Sequence, residues 1–156
     1  MTRTTAVLLF LFLAAALPSG AQVRFEKPDY AAAVKKAGKL RKSIFVYFYT
    51  DWCVPCRQVP RIVFGDRRIR AVIDSMYVSL KLNAEKGPGV PVARRYGVKA
   101  FPTFLFADAD GHEIGRIVGT RSNDDYLTAI RSKGRTDPMF DRLREKDVPR
   151  APAGKK

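Results

Sequence analysis

The spacing of apolar residues divides the chain into helical segments and strand-like runs. Apolar residues on one helical face predict helices at 66–75 and 122–133, and a helical pattern after Cys56 is interrupted at Pro60. An Ala- and Lys-rich segment that begins at Asp29 predicts a helix at 29–41, and a short helix at 91–96 ends before Gly97. A run of β-branched and aromatic residues predicts a strand at 43–50, and partial alternation predicts another at 76–82. The segments 102–107 and 112–119, on either side of a turn, are the last two predicted strands. The predicted order is α-β-α-β-α-β-β-α.

That order predicts an α/β fold. A strand–helix–strand unit favours a parallel strand pair, and Asp108-Ala109-Asp110-Gly111 between the last two strands is typical of a hairpin turn. Together these features predict a mixed central sheet of about four strands with helices on both faces.

The first 21 residues have the layout of a secretory signal. Arg3 precedes an uncharged apolar run over 6–17, and Pro18 and small residues follow, which predicts cleavage after Ala21. An uncleaved anchor helix is the alternative, but the 12-residue run is short for a bilayer that needs about 20 residues. The pattern predicts a periplasmic or secreted protein, in a compartment where disulfides persist.

Length and composition limit the number of domains and the kinds of site. A length of 156 residues with 46% apolar residues predicts one folded domain, at 22–133, followed by a basic, proline-containing tail at 134–156. Two cysteines and one histidine cannot complete a four-ligand zinc site of the Cys/His type within one chain, so no metal is expected. His112 lies beside the hairpin turn and is expected to be a solvated surface residue.

The cysteines stand where a predicted strand passes into a helix. Cys53 would lie at the helix N-terminus, where free N–H groups stabilise a thiolate, and Cys56 follows about one turn later. This spacing indicates a nucleophile and a resolving thiol. A structural disulfide and half of an intermolecular metal site are the alternatives.

Three separated motifs in the segment 29–133 resemble thioredoxin-fold thiol:disulfide oxidoreductases. They are Trp52-Cys53-Val54-Pro55-Cys56, the strand Leu80-Lys81-Leu82-Asn83 with the loop and helix after it, and Phe101-Pro102-Thr103. The stretch 49–54 is also similar to the C-terminal domain of transmembrane thiol:disulfide interchange reductases. The resemblance implies a thioredoxin fold.

The resemblance also implies roles for the site residues. Cys53 would attack, Cys56 would be the buried resolving thiol, and their redox-active disulfide would need no other cofactor. Pro102 would follow a cis peptide bond, with an ordinary trans proline as the alternative. The residues expected to contact substrate are Trp52, Pro55, Phe101 and Pro102. Pro60 would kink the active-site helix.

One position departs from the family pattern. Thioredoxin-like reductases usually carry a buried aspartate six residues before the first cysteine, and this chain has Tyr47 there. An unperturbed tyrosine, with a pKa near 10, is a poor base at neutral pH. One interpretation is that attack by Cys56 on the mixed disulfide is slow, or that water or the partner protein supplies the base. The other is that Tyr47 only fills the core. Asp51 and Glu85 are the nearby carboxylates.

The implied function is dithiol–disulfide exchange in an exported monomer. No histidine lies between the cysteines, which favours reduction of disulfides in exported proteins, with electrons from a membrane thiol donor. The alternative is a non-catalytic binding module that uses the Phe101-Pro102 loop and the basic surface. The net charge of +14 indicates either solvated helix faces or electrostatic steering of the chain towards acidic partners or membranes. Nucleic-acid binding is not expected, because the chain has a predicted export signal and lacks a recognition motif.

Overall fold

The computed structural model describes residues 22–134 and forms a four-stranded sheet with five helices. The helices are α1 (Tyr30–Leu40), α2 (Val54–Ile62), α3 (Arg67–Met76), α4 (Gly89–Arg95) and α5 (Asn123–Lys133). The strands are β1 (Ser43–Tyr49), β2 (Tyr77–Asn83), β3 (Thr103–Ala107) and β4 (Glu113–Val118). Each predicted element is present, and where bounds were predicted the ends are displaced by no more than two residues.

The sheet has the strand order β2-β1-β3-β4. β1 pairs in parallel with β2, while β3 is antiparallel to both β1 and β4, so the predicted mixed sheet is confirmed. β1 is buried along nearly all its length because both of its edges are paired and helices cover both of its faces. The cysteine loop that follows β1 is therefore anchored to a strand that is fixed in the centre of the sheet.

Alternate residues of the strands face two separate cores. The aromatic face, defined by Phe45, Tyr47, Phe104 and Phe106, packs against α2, α3 and α5. The opposite side packs against α1 and α4 and is called the aliphatic face. Its buried strand residues are Ile44, Val46, Phe48, Val78, Leu80, Leu82, Leu105 and Ala107. Helices therefore lie on both faces, as predicted.

A tight turn divides the helical segment between β1 and β2 into two helices. A Cβ on Gly65 would lie 2.2 Å from the carbonyl oxygen of Arg61, so only glycine fits this close approach. The Asp66 carboxylate then accepts the N–H of Arg68 at 2.8 Å and begins α3. The turn lets α2 and α3 both pack on the aromatic face.

The hairpin predicted between the last strands is present. One carboxylate oxygen of Asp108 accepts the backbone N–H groups of Asp110 and His112, and Gly111 adopts a positive φ of 83°. The His112 side chain is exposed, as predicted, and lies 3.4 Å from the other oxygen of Asp108. The hairpin joins β3 to the sheet's edge strand.

Two sequence predictions lie outside the described residues. These are the export signal at 1–21 and, apart from Gly134, the tail at 134–156. Within residues 22–134, no helix combines the length and the apolar character that crossing a membrane requires.

Candidate active site

The two cysteines lie between the end of β1 and the first turn of α2. Cys53 is the N-cap of α2, and its sulfur accepts the backbone N–H of Cys56 at 3.2 Å. The two sulfurs are bonded, with the Cα atoms 5.2 Å apart. The free N–H groups and dipole of a helix N-terminus stabilise negative charge, so a thiolate on Cys53 would be favoured here.

Burial does not separate the two cysteines. Cys53 is 2% exposed and Cys56 is 3% exposed, so Cys56 is buried, as the resemblance implied, and Cys53 is buried as well. The difference between them is one of position, because Cys53 caps the helix and Cys56 lies inside its first turn.

Trp52 joins the cysteine loop to the loop that precedes β3. Its indole ring meets the ring of Phe101 edge-on, with 5.9 Å between centroids, and the Phe101–Pro102 peptide bond is cis, as predicted. The Trp52 indole N–H donates to both carboxylate oxygens of Glu85, at 2.9 and 3.1 Å. The structure thus brings Trp52 and Phe101 together, while Pro55 is exposed and Pro102 is buried.

The two candidate carboxylates have different surroundings. Glu85 is held by the Trp52 indole, whereas Asp51 accepts a hydrogen bond from the Asn83 amide at 2.9 Å and pairs with Lys86 at 2.5 Å. The sequence reasoning missed Asn83 and Lys86, because only the parallel pairing of β1 and β2 brings the ends of these strands together.

Tyr47 lies behind the cysteines on the aromatic face and is fully buried. Its hydroxyl donates to the backbone carbonyl of Cys56 at 2.9 Å. Burial raises the pKa of Tyr47 well above its ordinary value, so the phenol keeps its proton at neutral pH. Tyr47 therefore cannot accept the proton of Cys56, but it does more than fill the core.

Pro60 does not end the helix where the sequence pattern is interrupted. α2 continues through Pro60 to Ile62 and ends in a bond from the Val63 N–H to the Val59 carbonyl at 2.9 Å. In an α-helix the N–H of residue 60 would bond the carbonyl of Cys56, and proline has no N–H. The Tyr47 hydroxyl donates to that carbonyl instead.

A cavity of about 210 Å³ opens beside Cys56. The Thr50 hydroxyl is buried, with no hydrogen-bond partner within residues 22–134, and Lys81 lies 5.0 Å from the Tyr49 ring centre. The residues that line the cavity are Tyr47, Tyr49, Thr50, Asp51, Cys56, Arg57, Pro60 and Lys81. Water that enters the cavity can take the proton of the Cys56 thiol. Asp51 is the carboxylate that lines the same cavity. The sequence reasoning missed Thr50 and Lys81, because the strand register alone sets Lys81 beside Tyr47.

Comparisons with known proteins agree with this geometry. The family model for the thioredoxin-like domain matches residues 30–133. A thioredoxin H-type of Oryza sativa subsp. indica is 31% identical over 110 residues, which cover 70% of this chain and 84% of that protein. The thiol:disulfide interchange protein DsbD of Ralstonia nicotianae is 29% identical over 101 residues, 64% of this chain. The matched region is only 17% of that relative's length.

Solved structures show the same fold. The solution structure of a thioredoxin from Thermus thermophilus superposes with a TM-score of 0.63 at 26% identity, covering 71% of this chain and 86% of that one. The C-terminal domain of DsbD from Neisseria meningitidis, in the oxidised form, superposes with a TM-score of 0.57 at 18% identity, covering 71% and 98%. The chain belongs to the thioredoxin-like family and is a thiol:disulfide oxidoreductase whose redox group is the Cys53–Cys56 disulfide.

Proposed function

We propose that the chain is an exported reductase that opens disulfides in other exported proteins. The observation that carries the proposal is the Cys53–Cys56 pair at the start of α2, beside the exposed Trp52 and the Phe101–Pro102 loop. The residues between the cysteines are Val54 and Pro55, so no imidazole stabilises the reduced thiolate, and the pair is suited to giving electrons. The sequence pattern of residues 1–21 supports export.

The proposed reaction has two exchange steps. The Cys53 thiolate attacks one sulfur of a substrate disulfide, and the other substrate sulfur leaves as a thiolate. Cys56 then loses its proton to water in the adjoining cavity and attacks the Cys53 sulfur, which releases the second substrate thiolate. Two electrons pass to the substrate, and the Cys53–Cys56 disulfide is formed.

The surface around the pair supports docking of an extended polypeptide. Three large apolar side chains on the cysteine loop and α2 are exposed: Trp52 at 64%, Val54 at 57% and Ile62 at 47%. The backbone of Phe101, next to Trp52, would pair with a short extended segment of the substrate. Trp52, Pro55, Phe101 and Pro102 are thus the proposed substrate contacts.

The oxidised pair must be reduced again for turnover. The chain has no sequence motif for a nicotinamide or flavin, so we propose a membrane thiol protein as the electron donor. The similarity to a thiol:disulfide interchange protein supports such a donor. The positive charge of the chain would favour approach to an anionic membrane surface or to acidic partners.

Trapping of mixed disulfides tests the proposal. In exporting cells, Cys56→Ser should accumulate mixed disulfides with exported proteins, because the resolving thiol is missing. Cys53→Ser is the matched control and should accumulate few. If neither variant traps a partner, or if both do so equally, the proposed roles of the two cysteines are wrong and the binding-module alternative gains.

The reduction potential tests the direction of transfer. A value near about −270 mV in defined dithiol buffers would support a reductase, whereas a value near about −120 mV would show a strong oxidant and overturn the proposed direction.

A further inference from the structure

We infer that Tyr47 is a positioning residue for Cys56, because its hydroxyl replaces the helix hydrogen bond that Pro60 removes. The inference rests on the proposed function in taking Cys56 as the resolving thiol. Position 47 is where the family pattern has a buried aspartate. In this chain the residue there would hold the backbone of Cys56 in place and would not transfer a proton.

The loss of the helix bond at the Cys56 carbonyl is dictated by the sequence. The carbonyl of residue i in an α-helix accepts the N–H of residue i+4, and residue 60 is proline. Without another donor, a buried carbonyl would be left unpaired in the first turn of α2, next to the disulfide.

The structure supplies that donor from β1. The Tyr47 hydroxyl lies 2.9 Å from the Cys56 carbonyl oxygen. The ring is fixed by its neighbours, with 5.3 Å to the ring centre of Phe104 and 5.2 Å to that of Phe64. The bond therefore ties the backbone of Cys56 to the central strand through a side chain that has little freedom to move.

The surrounding charges do not offer Tyr47 a second role as a base. Burial raises its pKa, and neighbouring Tyr49 and Tyr126 act in the same direction. The charged groups of the adjoining cavity are Asp51 after β1, Arg57 on α2 and Lys81 on β2. The protonated hydroxyl is thus available as a donor throughout the neutral range.

Holding this carbonyl matters for closing the disulfide. Cys53 caps α2 by accepting the Cys56 N–H, so the two sulfurs keep their relative position only while the first turn is intact. Closure is an intramolecular reaction, and its rate depends on how well the attacking sulfur is held in place. Loss of the Tyr47 bond should slow closure without slowing the first attack by Cys53.

Release of thiolate from dithiobis(nitrobenzoate), supplied at one equivalent to the reduced protein, separates the two steps. Attack by Cys53 releases the first nitrothiobenzoate. Cys56 then loses its proton to solvent and attacks Cys53, which releases the second. We expect Tyr47→Phe to slow the second phase about tenfold and to leave the first nearly unchanged.

Tyr77→Phe is the matched control. Tyr77 is also a buried tyrosine of the aromatic face, and its hydroxyl donates to the Ile130 carbonyl, away from the cysteines. Both variants lose one bond of the same kind, but only Tyr47→Phe should alter closure. Equal closure rates for Tyr47→Phe and the unchanged protein would overturn the inference.

Rescue by Pro60→Ala gives the sharper test. Alanine restores the N–H that bonds the Cys56 carbonyl, so Tyr47→Phe should have little effect on closure in the Pro60→Ala background. A tenfold loss that persists there would show that the hydroxyl acts on something other than this carbonyl, and the inference would be wrong.

A measurement at equilibrium complements the kinetics. Because the Tyr47 bond holds Cys56 in the closed pair, its loss should also favour the open dithiol at equilibrium, and a tenfold shift makes the reduction potential less negative by about 30 mV. This shift should be absent in Tyr77→Phe, and its absence in Tyr47→Phe would contradict the inference. Failure of the proposed function would look different, since the pair would then close normally but trap no exported protein through Cys53.

Discussion

The two faces of the sheet are built from different kinds of side chain and perform different tasks. The aliphatic face packs against α1 and α4 with branched apolar residues and a single strand phenylalanine, Phe48. The aromatic face carries the active-site helix, and its rings contact one another through Phe45, Phe104 and Phe64. The aliphatic face therefore only packs against its helices, whereas the aromatic face also positions α2, the helix that carries the cysteines.

Tyrosine hydroxyls that bond to backbone carbonyls are more numerous on the aromatic side. Beside the aliphatic face, Tyr96 donates to the carbonyl of Gly111. On the aromatic face, Tyr47, Tyr77 and Tyr126 donate to the backbone carbonyls of Cys56, Ile130 and Gly119, respectively. Each ring fills the core, and each hydroxyl fixes a carbonyl of α2, of α5 or of the segment after β4. Aromatic packing thus adds directional bonds that branched aliphatic side chains cannot form.

Truncation of a central ring should have the largest effect on stability. Phe104→Ala removes a ring that packs against Phe45, Tyr47 and Tyr126, and we expect a loss of about 4 kcal/mol in the free energy of unfolding. Leu105→Ala, its neighbour on the aliphatic face, should lose about 3 kcal/mol. Denaturant unfolding of both variants checks the order. A larger loss for Leu105→Ala would show that the aromatic contacts add nothing.

Alkaline pH should destabilise the protein mainly through the aromatic face. Burial raises the pKa values of three tyrosines on the aromatic side, Tyr47, Tyr77 and Tyr126, and of one on the aliphatic side, Tyr30, whereas the unfolded chain ionises near pH 10. Stability is therefore complete below about pH 10 and falls above it, by up to about 1.4 kcal/mol per pH unit for each tyrosine. Unfolding free energies measured from pH 9 to 11 should show this fall.

Tyr77→Phe tests the origin of that pH dependence. The variant should lose less stability between pH 10 and 11 than the unchanged protein, because one buried phenol is gone. An identical slope in both proteins would contradict the assignment.

The helix caps should give the smallest difference between the faces. Asp66 caps α3 under the aromatic face, and Asp29 caps α1 under the aliphatic face, so each change to alanine should lose about 1 kcal/mol. The hydrogen bond and charge of Arg68 lower the pKa of Asp66, so its stabilisation is present above about pH 4 and is lost as the pH falls. Thermal unfolding at pH 7 and pH 3 should show that Asp66→Ala loses less on acidification than the unchanged protein does.

Most of the fold could be predicted because its signals are local. The runs at 43–50 and 102–107 are too apolar for anything but buried strands, and Ser122 and Asp66 are typical helix starts. The Cys53–Cys56 spacing and the Trp52, Phe101 and Pro102 motifs were likewise visible in short windows. The helix after the cysteines was less clear in the sequence, because its pattern is interrupted at Pro60, whereas α2 continues through Pro60 to Ile62.

The remainder depended on contacts between distant segments. The sequence shows a tyrosine at position 47 and a proline at position 60, but only the fold brings the Tyr47 hydroxyl from β1 to the carbonyl of Cys56. In the same way, the parallel register of β1 and β2 sets Lys81 beside Tyr47, and the loops place Glu85 against Trp52.

By itself, the sequence determined which elements form and where the reactive sulfurs lie, because local periodicity, capping and the cysteine spacing act within a few residues. The tertiary structure alone decided that Cys53 is buried as well as Cys56, that a cavity opens beside Cys56, and that the Tyr47 hydroxyl donates to the Cys56 carbonyl. Those features require segments far apart in sequence to meet, and strand register and packing, not local preference, fix how they meet.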